Sequence, residues 1–164
     1  MGYAIAEKYY ERATDKRQAI QTLIELDYQD TTAVMALADA SGYFDEPLAV
    51  YHQKYEQQRP RVVAIEGLTN GDGQVSPGLR QFTVVFSQPM DTSFRSTDYG
   101  PMGAEYSVAI ERIVLATDSL RATYHLKPLL PGRRYQLVVG SGYRTASPVL
   151  PLVPYLIEFG TTVP

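Results

Sequence analysis

Two hydrophobic periods divide this sequence. Through residue 60, apolar side chains recur every three or four positions, the spacing of one helix face. From residue 61 onward they alternate, the spacing of one face of a strand. In the first part Ile5, Tyr9 and Ala13 share a face, with Tyr10 beside them. Ala19, Ile20, Leu23, Ile24 and Asp27 follow the three-and-four rule behind a cap at Thr14 or Asp15, and Leu26 extends the stripe. Val34, Leu37 and Ala38 form the apolar set of a helix over 32–40, capped by Asp30 or Thr31 and stopped at Ser41-Gly42. Asp45-Glu46-Pro47 reads as the cap and first turn of a helix over 48–57, with Leu48, Tyr51 and Tyr55 on its inner face. The spacing predicts three or four short helices.

Arg59-Pro60 closes this part, because a residue before proline disfavours the helical region. Val62, Val63 and Ile65 then open a first strand. Asn70-Gly71-Asp72-Gly73 and Pro77-Gly78 are turn signals. A strand over 79–87 carries the clearest alternation in the chain: Phe82, Val84 and Phe86 against Thr83, Val85 and Ser87. Pro89 ends it, having no N–H to give to a sheet. Further strands are expected over 106–115, 120–126 and 135–139, with a last one carrying Tyr155, Ile157 and Phe159. Six or seven strands with turns this frequent predict an antiparallel sandwich.

The pieces Phe86-Ser87-Gln88-Pro89-Met90-Asp91, Pro131-Gly132-Arg133-Arg134-Tyr135 and Phe159-Gly160-Thr161 stand in a fixed order along these strands. Through them, residues from about 62 to 162 resemble the bacterial Ig-like domain of S-layer and other secreted proteins. The resemblance implies a Greek-key sandwich, a spacer or accessory role beside a catalytic domain, and no catalytic residues. The helical part and the loop over 92–105 are also similar to C-terminal regions of larger secreted bacterial proteins with hydrolase-like domains upstream. The expected fold class is therefore α+β, with domains at 1–60 (helical segment) and 61–164 (Ig-like sandwich). About 60 residues of short helix bury little surface, so the helices are expected to pack on the sandwich or on a domain upstream.

Charge follows the same division. Residues 1–60 hold 6 Lys+Arg and 10 Asp+Glu, a net −4; residues 61–164 hold 9 and 8, a net +1. The total of −3 argues against nucleic acid, which needs clustered Lys and Arg. Cysteine is absent, which excludes disulfides and Cys-ligated metals. No apolar run reaches the ~18 residues of a membrane helix. The first residues lack the basic and apolar regions of a signal peptide. Helical patterning starts almost at once, as in a piece of something longer or a mature segment with an added Met, and the resemblance implies an extracytoplasmic setting.

Candidate chemistry is sparse. His52 and His125 fall in different parts, with no further metal ligands at suitable spacing. Asn70-Gly71-Asp72-Gly73 has the oxygens of a calcium loop without its regular acidic spacing. Gly140-Ser141-Gly142 is no nucleophile elbow, since no helix is expected after it. Gly100-Pro101-Met102-Gly103 lacks the Lys and following helix of a phosphate loop. Carboxylates such as Asp91, Asp98 and Glu105 could line a cleft, though Asp91 is better explained by the turn after the strand over 79–87. No catalytic residue, metal or cofactor is assigned. The one possible binding patch is aromatic: Phe94, Tyr99, Tyr106 and Tyr143, with Tyr155 nearby in type and the loop over 92–105 as its carrier. The expectation is a non-catalytic accessory module whose partner is a neighbouring domain or protein. The alternative is a glycan- or protein-binding module working through the loops.

Overall fold

The computed structural model describes residues 2–140 and 142–163. The chain forms two compact units that divide between Gln58 and Arg59.

The first unit holds four helices: α1 (Gly2–Arg12), α2 (Lys16–Glu25), α3 (Thr31–Ser41) and α4 (Leu48–Gln58). Their ends follow from short polar side chains. Asp15 Oδ1 accepts the Gln18 N–H at 3.0 Å, and Asp30 Oδ1 accepts those of Thr32 and Ala33 at 2.9 and 3.1 Å. Helix α3 stops at Gly42, whose φ of +60° favours glycine. The start of α4 corrects the expectation of a local cap at Asp45-Glu46: the Leu48 N–H donates to Asp39 Oδ1 of α3 at 2.7 Å. The apolar stripe of α2 is also narrower than its spacing suggests. Ala19 is buried and Leu23 and Leu26 half-buried, but Ile20 and Ile24 are exposed. On α4, Leu48 is half-buried while Tyr51 and Tyr55 are exposed.

The second unit is a β-sandwich of seven antiparallel strands: β1 (Val62–Glu66), β2 (Gln81–Phe86), β3 (Thr97–Asp98), β4 (Ile110–Leu115), β5 (Arg121–Leu126), β6 (Arg134–Val139) and β7 (Tyr155–Gly160). One sheet has the order β1-β2-β5-β4 and the other β3-β6-β7. Alternation decides which side chains meet between them. Phe82, Val84 and Phe86 of β2 enter the core with Ala122, Tyr124 and Leu126 of β5; Tyr135, Leu137 and Val139 of β6 and Ile157 and Phe159 of β7 come from the other sheet. The Phe82 and Tyr124 rings stack with centroids 5.0 Å apart. On the outer face of the first sheet the Thr83 and Thr123 hydroxyls meet at 2.9 Å. Both edge strands of that sheet, β1 and β4, carry a register irregularity, which makes an edge a poorer template for a further strand.

Two expectations change. The loop over 92–105 contains β3, which pairs Thr97 with Val139 and Asp98 with Val138. The strand expected over 106–115 begins only at Ile110, after a 3₁₀ turn at Ala104–Tyr106. Two residues of β3, one of them Asp, carry no alternation to read; only pairing with β6 makes them a strand.

Candidate binding surface

The motifs of the sandwich are fastenings, and their geometry shows what each polar residue does. At the end of β2, Ser87 exchanges two bonds with Arg61: its N–H donates to the Arg61 carbonyl and its hydroxyl accepts the Arg61 N–H, both at 2.9 Å. Pro89 lets the chain leave the sheet, Met90 returns to the core, and Asp91 Oδ1 accepts the Ser93 N–H at 2.8 Å. At the opposite end, the Tyr135 hydroxyl accepts the Leu130 N–H at 2.8 Å. Thr161 Oγ1 donates to the Leu130 carbonyl at 2.6 Å and accepts the Arg133 N–H at 3.0 Å. The turn between β5 and β6 is thus fixed by one residue of β6 and one just past β7.

The suspected ion loops are fastenings too. Asn70 Oδ1 accepts the Glu158 N–H at 2.8 Å, and its amide donates to the Leu156 carbonyl at 3.0 Å. Asp72 Oδ1 accepts the Gln74 N–H, while Val75 forms a parallel bridge with Thr161. Residues 70–75 therefore run along β7, with the oxygens that suggested calcium turned to backbone donors. In the Gly100-Pro101-Met102-Gly103 stretch, the Met102 N–H donates to Gln136 Oε1 at 3.0 Å. A Cβ at Gly100 would lie 2.4 Å from that same oxygen, so this glycine serves close packing on β6. Ser141 of the Gly140-Ser141-Gly142 motif lies outside the described residues.

Of the four aromatic residues of the expected patch, Phe94 is 44% and Tyr99 66% exposed, and Tyr106 is half-buried. Tyr143 is fully buried. This corrects the patch: Tyr143 belongs to the core, where its hydroxyl accepts that of Tyr124 at 2.9 Å and its ring lies 5.2 Å from Phe86. Burial raises the pKa of both phenols, and takes that of Tyr124 well above the ordinary tyrosine range. For Tyr124 its neighbour Tyr143 adds to the rise; for Tyr143 the bond from Tyr124 and the nearby Arg95 act against it. Tyr106 is separated from Phe94 by the path of the chain. Phe94 lies beyond the C-terminal end of β6, whereas Ser107, next to Tyr106, bridges Gln136 in its first half. Tyr155 is half-buried on β7. The three acidic residues stand at different places: Asp91 faces the end near Phe94, Asp98 of β3 pairs with Val138 of β6, and the Glu105 carbonyl accepts from Arg133, just before β6.

The surface that remains is formed by the β2–β3 and β6–β7 loops. The Arg144 guanidinium lies over the Phe94 ring, 3.4 Å from its centroid, with Nε 3.8 Å from Asp91 Oδ2. The Asp91 N–H donates to the Arg144 carbonyl at 2.7 Å, and Leu152 donates to Tyr143 at 2.8 Å, so both loops are held. Sequence reasoning missed Arg144; Asp91 is 53 positions away in the chain, and no local spacing links them. At the other end of the sandwich, a cleft of ≈ 490 Å³ is lined by Gly71, Gly132, Arg133, Arg134, Glu158 and Val163. Its Glu158 already accepts from Gln136 and its Arg133 is engaged with the Glu105 carbonyl. Exposed His52 on α4 and half-buried His125 on β5 stand in different units. Among the described residues no group of three His, Asp or Glu is placed to hold a metal ion.

No protein-family model matches the chain, and no curated protein matches its sequence. Among solved structures it is similar to the S-layer protein rSbsC at 18% identity and a TM-score of 0.44, over 98% of this chain. It is similar to PcoC, a methionine-rich copper resistance protein from Escherichia coli, at 16% identity and a TM-score of 0.46, over 63% of this chain and 99% of that one. It is similar to CopC from Methylosinus trichosporium OB3b at 13% identity and a TM-score of 0.42, over 63% of this chain and 94% of that one. The chain spans 22% of the length of the S-layer protein.

Proposed function

We propose that this chain is a non-catalytic accessory module of a larger secreted or cell-surface bacterial protein, in which an Ig-like sandwich positions or stabilises a neighbouring domain. The strand orders β1-β2-β5-β4 and β3-β6-β7 support the Ig-like part of this reading, since they correspond to the two sheets of a constant-type Ig domain. The Tyr135–Leu130 bond supports it as well: a tyrosine near the start of the sixth strand, bonded back to the preceding corner, is a hallmark of such sandwiches.

The observation that carries the functional part is the use of the loop polar groups. Asn70 and Asp72, which carry the oxygens of the suspected ion loop, bond to backbone instead, as do Gln136 of β6 and Thr161 just past β7. Such a body keeps its two ends at fixed separation, which is what a spacer needs. The test is the reading frame from which the chain derives. A frame with an export signal and a further domain is expected, and deleting the module should lower the melting temperature or yield of that domain. A frame that encodes this chain alone, or turnover of ester, peptide or glycoside substrates by the purified chain, overturns the proposal.

A second reading is favoured by Phe94 and Arg144. An exposed aromatic ring under a fixed guanidinium suits protein or glycan contact through the β2–β3 and β6–β7 loops. Phe94→Ala should then abolish binding on a glycan array or in a pull-down with the parent protein's other domains. Equal binding by the wild-type chain and this variant dismisses the reading.

A further inference from the structure

The geometry points to Asn70-Gly71 as a site of self-modification. We propose that the Asn70 amide is lost by attack of the Gly71 nitrogen, that docking on β7 withholds this reaction, and that the product frees residues 70–75 from β7. This goes beyond the accessory role and does not depend on it. Asn70 is the only asparagine in the chain, and it is exposed. Glycine follows it, so no side chain obstructs the attacking nitrogen. In the reaction the Gly71 nitrogen bonds to Asn70 Cγ and the Cγ–Nδ2 bond breaks. Ammonia leaves with the proton that Gly71 gives up, and a cyclic imide remains. Water then opens the ring at either carbonyl, to aspartate or to isoaspartate, and nothing is oxidised or reduced.

Each reacting group is held by β7. The Glu158 N–H donates to Asn70 Oδ1, and the Glu158 carbonyl accepts the Gly71 N–H, both at 2.8 Å. The amide that must leave donates to the Leu156 carbonyl at 3.0 Å and to the Tyr155 hydroxyl at 3.3 Å. The same segment is anchored further on. The Gly160 N–H donates to the Asp72 carbonyl at 2.7 Å, and the N–H of buried Val75 donates to the Gly160 carbonyl at 2.9 Å. The ring therefore closes only in molecules whose segment has left the strand. The product loses this hold. A carboxylate has no N–H for the Leu156 carbonyl, and its charge faces that oxygen. Isoaspartate also adds a carbon to the backbone before Gly71, so the two bonds to Glu158 no longer match its spacing. Strand β7 pairs with β6 on one side, and residues 70–75 run along the other. Conversion thus bares a sheet edge, a template for a further strand.

Mass spectrometry of the full chain, aged in mildly alkaline buffer with and without urea, tests the site and its control. The unfolded chain should gain the mass of amide-to-acid conversion at Asn70, and Asn70→Gln should not. The folded chain should convert more slowly by about tenfold or more, because it reacts only through its open fraction. Asn70→Asp, purified folded, tests the release without passage through urea. Its Gly71 and Gly160 amides should exchange with solvent about tenfold faster than in wild type, with the central amides of β2 and β6 unchanged. No mass gain at Asn70 in urea, equal rates in buffer and urea, or Gly71 and Gly160 amides as slow in Asn70→Asp as in wild type overturns the proposal.

Discussion

The Tyr135 hydroxyl accepts the Leu130 N–H at 2.8 Å, and the Leu130 carbonyl in turn accepts Thr161 Oγ1. One residue of the β5–β6 turn is thus held at both its N–H and its carbonyl, by residues of β6 and of the segment after β7. Tyr135→Phe keeps the ring and its stack on Phe159 but leaves the Leu130 N–H unmet, which costs about 1–2 kcal/mol. Thr161→Val removes bonds to both Leu130 and Arg133 and should cost more. Urea unfolding of the sandwich measures both; equal midpoints for wild type and Tyr135→Phe would show that the corner is not fastened by this bond.

Gly100 should resist substitution for a steric reason. A methyl carbon there would meet Gln136 Oε1 at 2.4 Å and Gln136 Cβ at 2.6 Å. Gln136 is buried and bonded to Met102 and Glu158, so it has little freedom to move. Gly100→Ala is expected to lower stability by roughly 1–3 kcal/mol. Gly73→Ala, with nothing within 4 Å of the added carbon, should change it by less than about 0.5 kcal/mol. Thermal melting of the two variants side by side gives the comparison, and a Gly73 variant as unstable as the Gly100 variant contradicts it.

The Tyr124–Tyr143 pair predicts a loss of stability in alkali. Both phenols ionise at higher pH in the native core than in the unfolded chain, chiefly because burial disfavours the phenolate. The native state therefore binds these protons more tightly. Its advantage is complete below the unfolded value near 10 and is lost as pH rises through and past it. The slope above pH 10 is at most about 1.4 kcal/mol per pH unit for each phenol, and Tyr124 carries the larger part. Urea midpoints at pH 8, 9, 10 and 11 should fall at the alkaline end for wild type. They should fall less for Tyr124→Phe/Tyr143→Phe, which removes both hydroxyls together. Parallel curves for the two proteins would remove the pair from the explanation.

The fold was legible wherever a local pattern carries the information. Short polar caps marked α2 at Thr14 or Asp15 and α3 at Asp30 or Thr31, where Asp15 and Asp30 proved to be the caps, and alternation marked the buried face of β2 at Phe82, Val84 and Phe86. It was not legible where a residue's place depends on distant chain. The first N–H of α4 goes to Asp39, nine positions back, and β3 is a strand only through Val138 and Val139. The aromatic patch suffered from the same limit. Tyr143 and Phe94 look alike in a list of exposed-capable rings, but Tyr143 has a buried hydroxyl partner 19 positions away, and composition does not reveal it. The loop motifs were readable as turns; their bonds to β6 and β7 were not.

Amide hydrogen exchange on the full chain tests the central claim, that loop polar groups make the sandwich one stiff body. The amides of Gly71, Val75, Asp91, Met102, Leu130 and Arg133 all donate to groups on neighbouring segments of the sandwich. They are expected to exchange with the same urea dependence as the central amides of β2 and β6, opening only when the whole unit unfolds. Exchange of these loop amides near the free-peptide rate, with the strands still protected, would contradict it.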